Sequence, residues 1–167
     1  MVLVQTEIRD VTGEPLKTNA DIIRRSFQTV AEEMGITPEN APRFMAFITP
    51  DQLGEMRDRG AVFYGLFTEG KQAGFVAVEQ EEDGNWFLKR LAVLPDYRNG
   101  GFARQLIDRV IDHVKNRGAE QLHIGIVNEQ TVLKNWYIGM GFREYRVFEI
   151  PRLPFTVCLL DRELDES

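Results

Sequence analysis

Arg98, Asn99, Gly100, Gly101, Phe102 and Ala103 form an unbroken stretch whose residue types suit the capture of a diphosphate. Two adjacent glycines let the chain turn tightly and leave its backbone N–H groups uncovered. A helix starting near Ala103 would add unpaired amides and the positive end of its dipole. The spacing Arg-x-x-Gly-x-Ala lacks the Lys-Ser or Lys-Thr of a triphosphate loop and the third glycine of a dinucleotide fingerprint, so ATP and nicotinamide cofactors are disfavoured. The same glycines would also suit a helix that merely needs a turn before it. Other reactive groups are few. Cys158 is the only cysteine, which excludes a disulfide framework and a thiolate zinc site. His113 and His123 are the only histidines, with no acidic neighbours at metal-binding spacing.

The whole chain narrows the partners. Its 167 residues suit a single domain spanning 1–167, and its 43% hydrophobic and 28% charged residues are ordinary for a globular protein. A net charge of −6 argues against nucleic acid and against an anionic membrane surface, and makes a cationic substrate electrostatically easier. The sequence shows neither a basic region followed by an apolar run at its start nor a stretch of the ~20 apolar residues needed to cross a bilayer. A cytoplasmic location is the expectation.

The elements that must position the Arg98 turn follow from periodicity. A first strand is expected over Val2–Ile8, then a helix opened by Thr18-Asn19-Ala20-Asp21, carrying Ile23, Phe27, Val30 and Met34 and closed by Gly35. Thr37-Pro38 and Thr49-Pro50-Asp51-Gln52 are two further N-cap signals. They predict a short helix through Phe44 to Phe47 and another from Asp51 to about Arg59. Val62–Thr68, Gln72–Glu79 and Trp86–Leu94 read as three antiparallel strands separated by glycine turns. Ala103, Leu106, Ile107, Val110, Ile111 and Val114 then trace one helical face, and Gln121–Val127 is a strand. Strand, helix and strand in that order require a parallel crossover, with ligands expected beyond the carboxyl ends of the parallel pair. A helix with Val132, Leu133, Trp136, Tyr137 and Met140 and two strands, Phe142–Ile150 and Phe155–Leu160, complete a mixed sheet covered by helices.

With these elements placed, the chain resembles the GNAT superfamily of N-acetyltransferases. The resemblance runs through Leu91-Ala92-Val93-Leu94-Pro95-Asp96-Tyr97 and the Arg98–Ala103 loop, and again through Tyr137-Ile138-Gly139-Met140-Gly141-Phe142. It implies an α/β fold of the α+β type: a mixed, mostly antiparallel sheet of about seven strands with a splayed parallel pair, flanked by about four helices. It also implies transfer of an acetyl group from acetyl-CoA, with coenzyme A as product, to a primary amine of a small molecule or peptide. By similarity, backbone amides of Asn99, Gly100, Gly101, Phe102, Ala103 and Arg104, after Arg98, hold the pyrophosphate. By similarity the backbones of Leu91 and Val93 pair with the pantetheine arm, and an N–H of the kinked strand near Ala92 and Val93 is offered to the reacting carbonyl. Gln130 stands where the family usually has an asparagine for the pantetheine amide. Asn128 is either a substitute for it or a helix N-cap, and Asn135 is either a further contact or solvent-facing. Tyr137 matches the family tyrosine that protonates the departing thiolate; by periodicity alone it reads as a core aromatic on the stripe with Leu133 and Met140.

The usual glutamate bases align with Phe87 and Gly125, which cannot take a proton. His123, Glu79, Glu129 or an ordered water are the remaining acceptors. Phe27, Phe44, Phe47 and Phe155 are either substrate walls or core, and the acidic run Glu79–Asp83 is either a guide for a cationic amine or a solvated edge. A catalytically inactive coenzyme A-binding regulatory protein is the alternative reading that the missing glutamates keep open. A generic nucleotide-binding domain is a third. Pairing of an exposed final strand, Phe155–Leu160, would give a homodimer.

Overall fold

Alternation of buried and exposed residues builds one seven-stranded sheet in the computed structural model, which describes residues 5–165. The strands are Thr6–Asp10 (β1), Val62–Thr68 (β2), Lys71–Gln80 (β3), Trp86–Val93 (β4), Gln121–Val127 (β5), Arg143–Glu149 (β6) and Thr156–Glu163 (β7), in the spatial order β1-β2-β3-β4-β5-β7-β6. Every neighbouring pair is antiparallel except β4 and β5, which are parallel as the crossover required. The helices are Leu16–Met34 (α1), Pro50–Asp58 (α2), Phe102–Lys115 (α3) and Thr131–Gly139 (α4), with single 3-10 turns at Met45–Phe47 and Pro95–Tyr97.

The two sheet faces carry separate cores. On one, Leu106, Ile107, Val110 and Val114 of α3 pack on Leu66, Val76 and Val78. On the other, Ile22 and Ile23 of α1 and Leu53 of α2 cover Phe63, Phe75, Ala77 and Ala92. Gly74 lets α3 come close to this double layer. A Cβ there would stand 3.0 Å from the Ala92 carbonyl oxygen and 3.0 Å from Leu106 Cδ1. Gly74→Ala is therefore expected to cost about 1–3 kcal/mol and to lower Tm by roughly 3–10 °C in a thermal melt.

Four expectations change. The first helix starts at Leu16, after Pro15, so Thr18–Asp21 lies inside it. Asn19, 1% exposed, points inward, where its amide reaches the Val11 carbonyl and accepts from Gln72. The first strand is β1, Thr6–Asp10, and residues 1–4 of the expected span lie outside the described residues. Thr37 and Asn40 cap one another reciprocally but close only a turn, leaving the Met45–Phe47 3-10 turn where a short helix was expected. The final strand is also not an edge. β7 returns into the gap beside β5 and is paired on both sides, so the free edge belongs to β6 and the proposed Phe155–Leu160 dimer contact is not available.

Candidate active site

β4 and β5 separate almost as soon as they meet. Their parallel pairing consists of Phe87 opposite His123 and Leu88 opposite Ile124, and beyond Leu88 nothing bridges them. The divergence has a local cause. Between the pairs Ala77–Lys89 and Phe75–Ala92, β4 spends one residue more than β3, a bulge that bends the strand. Arg90 sits in it at φ +58°. Leu91, next in the chain, has no register partner on β3 or β5, so its backbone edge faces the gap.

The gap opens into a cleft of about 980 Å³. Ile126, Gln130, Leu133, Trp136 and Tyr137 line it on the α3–α4 side, and Phe27 and Val30 of α1 with Met45 wall it on the other. At its mouth stands the Arg98–Ala103 turn. Gly101 adopts φ +79° as the residue before α3, a left-handed conformation in which a side chain would be strained. The first helical bond runs from the Gln105 N–H to the Gly101 carbonyl. Among the described residues, the six backbone N–H groups from Asn99 to Arg104 have no protein partner. Six free amides at the start of a fourteen-residue helix form an anion cradle.

Residues 24–142 match the acetyltransferase (GNAT) family. The chain belongs to that family. It is 30% identical over 100 residues to "Probable N-acetyltransferase camello" of Xenopus tropicalis, an alignment covering 59% of this chain and 46% of that protein. It is 29% identical over 109 residues to N-acetylaspartate synthetase of the same organism, covering 64% and 40% respectively. The chain thus spans less than half the length of either relative. Among solved structures it superposes on the ribosomal-protein-S18-alanine N-acetyltransferase of Escherichia coli, with TM-score 0.75, 17% identity and coverage of 98% of this chain and 96% of that one. It also matches the PaiA N-acetyltransferase of Thermoplasma acidophilum in complex with coenzyme A, with TM-score 0.76, 18% identity and coverage of 95% and 99%. These two share the GNAT fold with the present chain.

Within this GNAT domain the remaining candidates separate by position. Tyr137, 4% exposed, reaches the cleft, and its hydroxyl has no protein partner among the described residues. Burial holds its phenol well above the usual tyrosine range. Asn99, Phe102, Ala103 and Arg104 line the mouth with Gly101. Arg98 turns its side chain away from the amides and onto α1, donating to the Ser26 carbonyl, Thr29 Oγ1 and the Val93 carbonyl. The backbone of Val93 is held by Ser26, whose hydroxyl accepts from its N–H at 3.1 Å and donates to its carbonyl at 3.0 Å. Ala92 is 1% exposed and pairs with Phe75. Of the three β4 candidates, only Leu91 presents unengaged backbone to the gap.

Asn128 is engaged in structure: it donates to Thr156 and accepts from Lys134, which also pairs with Glu144. Gln130, directly before α4, lines the cleft, whereas Asn135 is exposed on α4 outside it. His123 is 5% exposed, with its ring stacked on Phe87 at 5.2 Å and Nδ1 3.0 Å from the Tyr145 hydroxyl. It does not line the cleft. Glu129 is spent on Thr156, accepting from its N–H and hydroxyl. Glu79, 3% exposed, is enclosed by Arg59 and Lys89 at 3.3 Å, so it is neither a free base nor a guide for cations. Phe44 is the hub of an aromatic cluster with Phe27, Phe47 and Phe155, of which only Phe27 touches the cleft.

Proposed function

We propose that the protein transfers an acetyl group from acetyl-CoA to the primary amine of a small molecule or peptide by direct attack in a ternary complex. The observation that carries this reading is the alignment of three features along one cleft: free amides at its mouth, an unpaired β4 edge at the splay, and the unpartnered Tyr137 hydroxyl inside. The residues present fit the donor. The Asn99–Arg104 amides would hold its diphosphate, the Leu91 backbone would pair with the pantetheine arm, and Gln130 can offer both donor and acceptor to an amide of that arm. The bound donor supplies a thioester, an acyl group already activated for attack.

The chain's own contributions are positional and protonic. Leu91 follows the bulge, so its N–H is turned into the splay, where it can stabilise negative charge on the attacked oxygen. Tyr137 holds a proton at its hydroxyl for the departing sulfur. Among the described residues Glu81 is the one carboxylate lining the cleft, and Lys89 holds it at 2.5 Å. The ammonium proton therefore leaves to water at the open side of the cleft.

Thermal melts with acetyl-CoA, coenzyme A, ATP and NAD in separate samples test the cofactor. At a hundred times Kd the native state gains about 2.7 kcal/mol, roughly 5–10 °C for a domain of this size. A shift with acetyl-CoA and coenzyme A alone, followed by amine-dependent thiol release, is the expected result. Shifts without thiol release across a broad amine panel would favour a regulatory coenzyme A-binding protein. No shift with either thioester or thiol would overturn the reading.

The names of the relatives divide over the acceptor: one is an N-acetylaspartate synthetase, and one structural neighbour acts on an alanine of a ribosomal protein.

A further inference from the structure

Two irregularities meet at Arg90. It occupies the left-handed region at φ +58°, where a side chain is disfavoured by about 1 kcal/mol or more and glycine or asparagine would be the cheaper choice. Its side chain is also orphaned. Nε is buried without a hydrogen-bond partner, and among the described residues the guanidinium makes no ion pair. A strained position kept for a charged side chain that the protein itself does not satisfy points to a ligand.

The surroundings say which kind. Arg90 lines the cleft beside Leu91, within electrostatic range of Arg59 and Glu79, which do not line it. Both nearby carboxylates are consumed: Glu79 by Arg59 and Lys89, and Glu81 by Lys89. Arg43, the remaining basic group in electrostatic range, pairs with Glu55 at 3.9 Å, so neither of those two groups compensates Arg90. The neighbouring charges are thus paired among themselves, and the Arg90 guanidinium is the one left uncompensated among the described residues, in a chain whose net charge is −6. A polyamine or a protein lysine would bring a second cation against it.

Resting on the acetyl-transfer reading above, we infer that the acceptor is a small amine carrying a carboxylate close to its nitrogen, an amino acid rather than a polyamine or a peptide N-terminus, with Arg90 as its carboxylate-binding residue. The guanidinium fork matches one carboxylate bidentately. A phosphate would call for a second free cation, and Arg59 and Lys89 are already engaged. Because Arg90 precedes the residue whose N–H faces the splay, the carboxylate it holds lies within one side chain's reach of the attacked carbon. That separation suits an amino group on a neighbouring carbon.

The test compares amino acids with their carboxamides and their decarboxylated amines, by thermal shift in saturating coenzyme A and by kcat/KM with acetyl-CoA. The free acids should be preferred over the matched carboxamides by roughly 30-fold or more. Arg90→Gln should remove that preference mainly through KM, and Arg90→Lys should retain only part of it. Arg90→Gly removes the guanidinium and relieves the strained φ, so it should lose the preference with Tm unchanged or higher. Carboxamides binding or reacting as well as acids would overturn the inference. So would an acid preference that survives Arg90→Gln. Failure of the underlying reading looks different: coenzyme A itself would then give no shift.

Discussion

Tyr137→Phe is expected to lower kcat by about two orders of magnitude or more while leaving the coenzyme A Kd within about twofold. The hydroxyl is the only atom removed, and nothing in the protein depends on it, because it has no partner among the described residues and the ring keeps its packing against Phe142 at 5.5 Å. Stability should therefore be unchanged. On the proposed mechanism, what is lost is the proton donor beside the leaving sulfur. The sign of the pH dependence follows from burial, which disfavours the charged phenolate and raises the pKa above the ordinary tyrosine value of about 10. The donor thus stays protonated through the neutral and mildly alkaline range, and no alkaline loss of kcat should arise from Tyr137 below about pH 10. The acceptor amine titrates the other way. With no cleft carboxylate free to take its proton, kcat/KM should rise close to tenfold per pH unit below the amine's own pKa. Isothermal titration together with stopped-time thiol release separates the two effects, and a phenylalanine variant with wild-type kcat would remove Tyr137 from the mechanism.

The sequence carried the scaffold because the scaffold is written in local patterns. Val62–Thr68 and Gln121–Val127 coincide with β2 and β5, since apolar runs bounded by turn residues leave little choice of boundary. The Thr49 N-cap signal is met, in the form of a full capping box with Gln52, and the parallel β4–β5 pair follows from chain order alone. The losses lie where a residue's partner is remote in sequence. Glu79 looks like the head of an acidic run until Arg59, twenty positions earlier, closes on it. Arg98 reads as a phosphate ligand until its guanidinium is seen to brace α1. The bulge left one trace: Lys89 and Arg90, adjacent polar residues inside Trp86–Val93, break the alternation that an unbulged strand would keep.

Ala103→Glu should weaken coenzyme A binding about a hundredfold without unfolding the protein, a combination that an anion cradle explains. Ala103 lies in the first turn of α3 and lines the cleft, so a longer side chain there extends into open space beside the free amides. A carboxylate in the first turn of a helix is stabilising by about 0.3–1 kcal/mol, because it meets the positive end of the dipole; Tm should hold or rise slightly. For the incoming diphosphate the same carboxylate is a competitor for the amides and a like charge. Two unit charges 4 Å apart repel by about 4 kcal/mol at an effective dielectric of 20, roughly a thousandfold in Kd, and solvent at the cleft mouth reduces this to about a hundredfold. Ala103→Gln adds the same bulk without charge and isolates the steric part. A large loss for Glu, a small one for Gln, and partial recovery of the Glu variant at high salt would together show that the Asn99–Arg104 amides read negative charge. Equal losses for both variants would mean that the turn is merely tight, and that the diphosphate is held elsewhere.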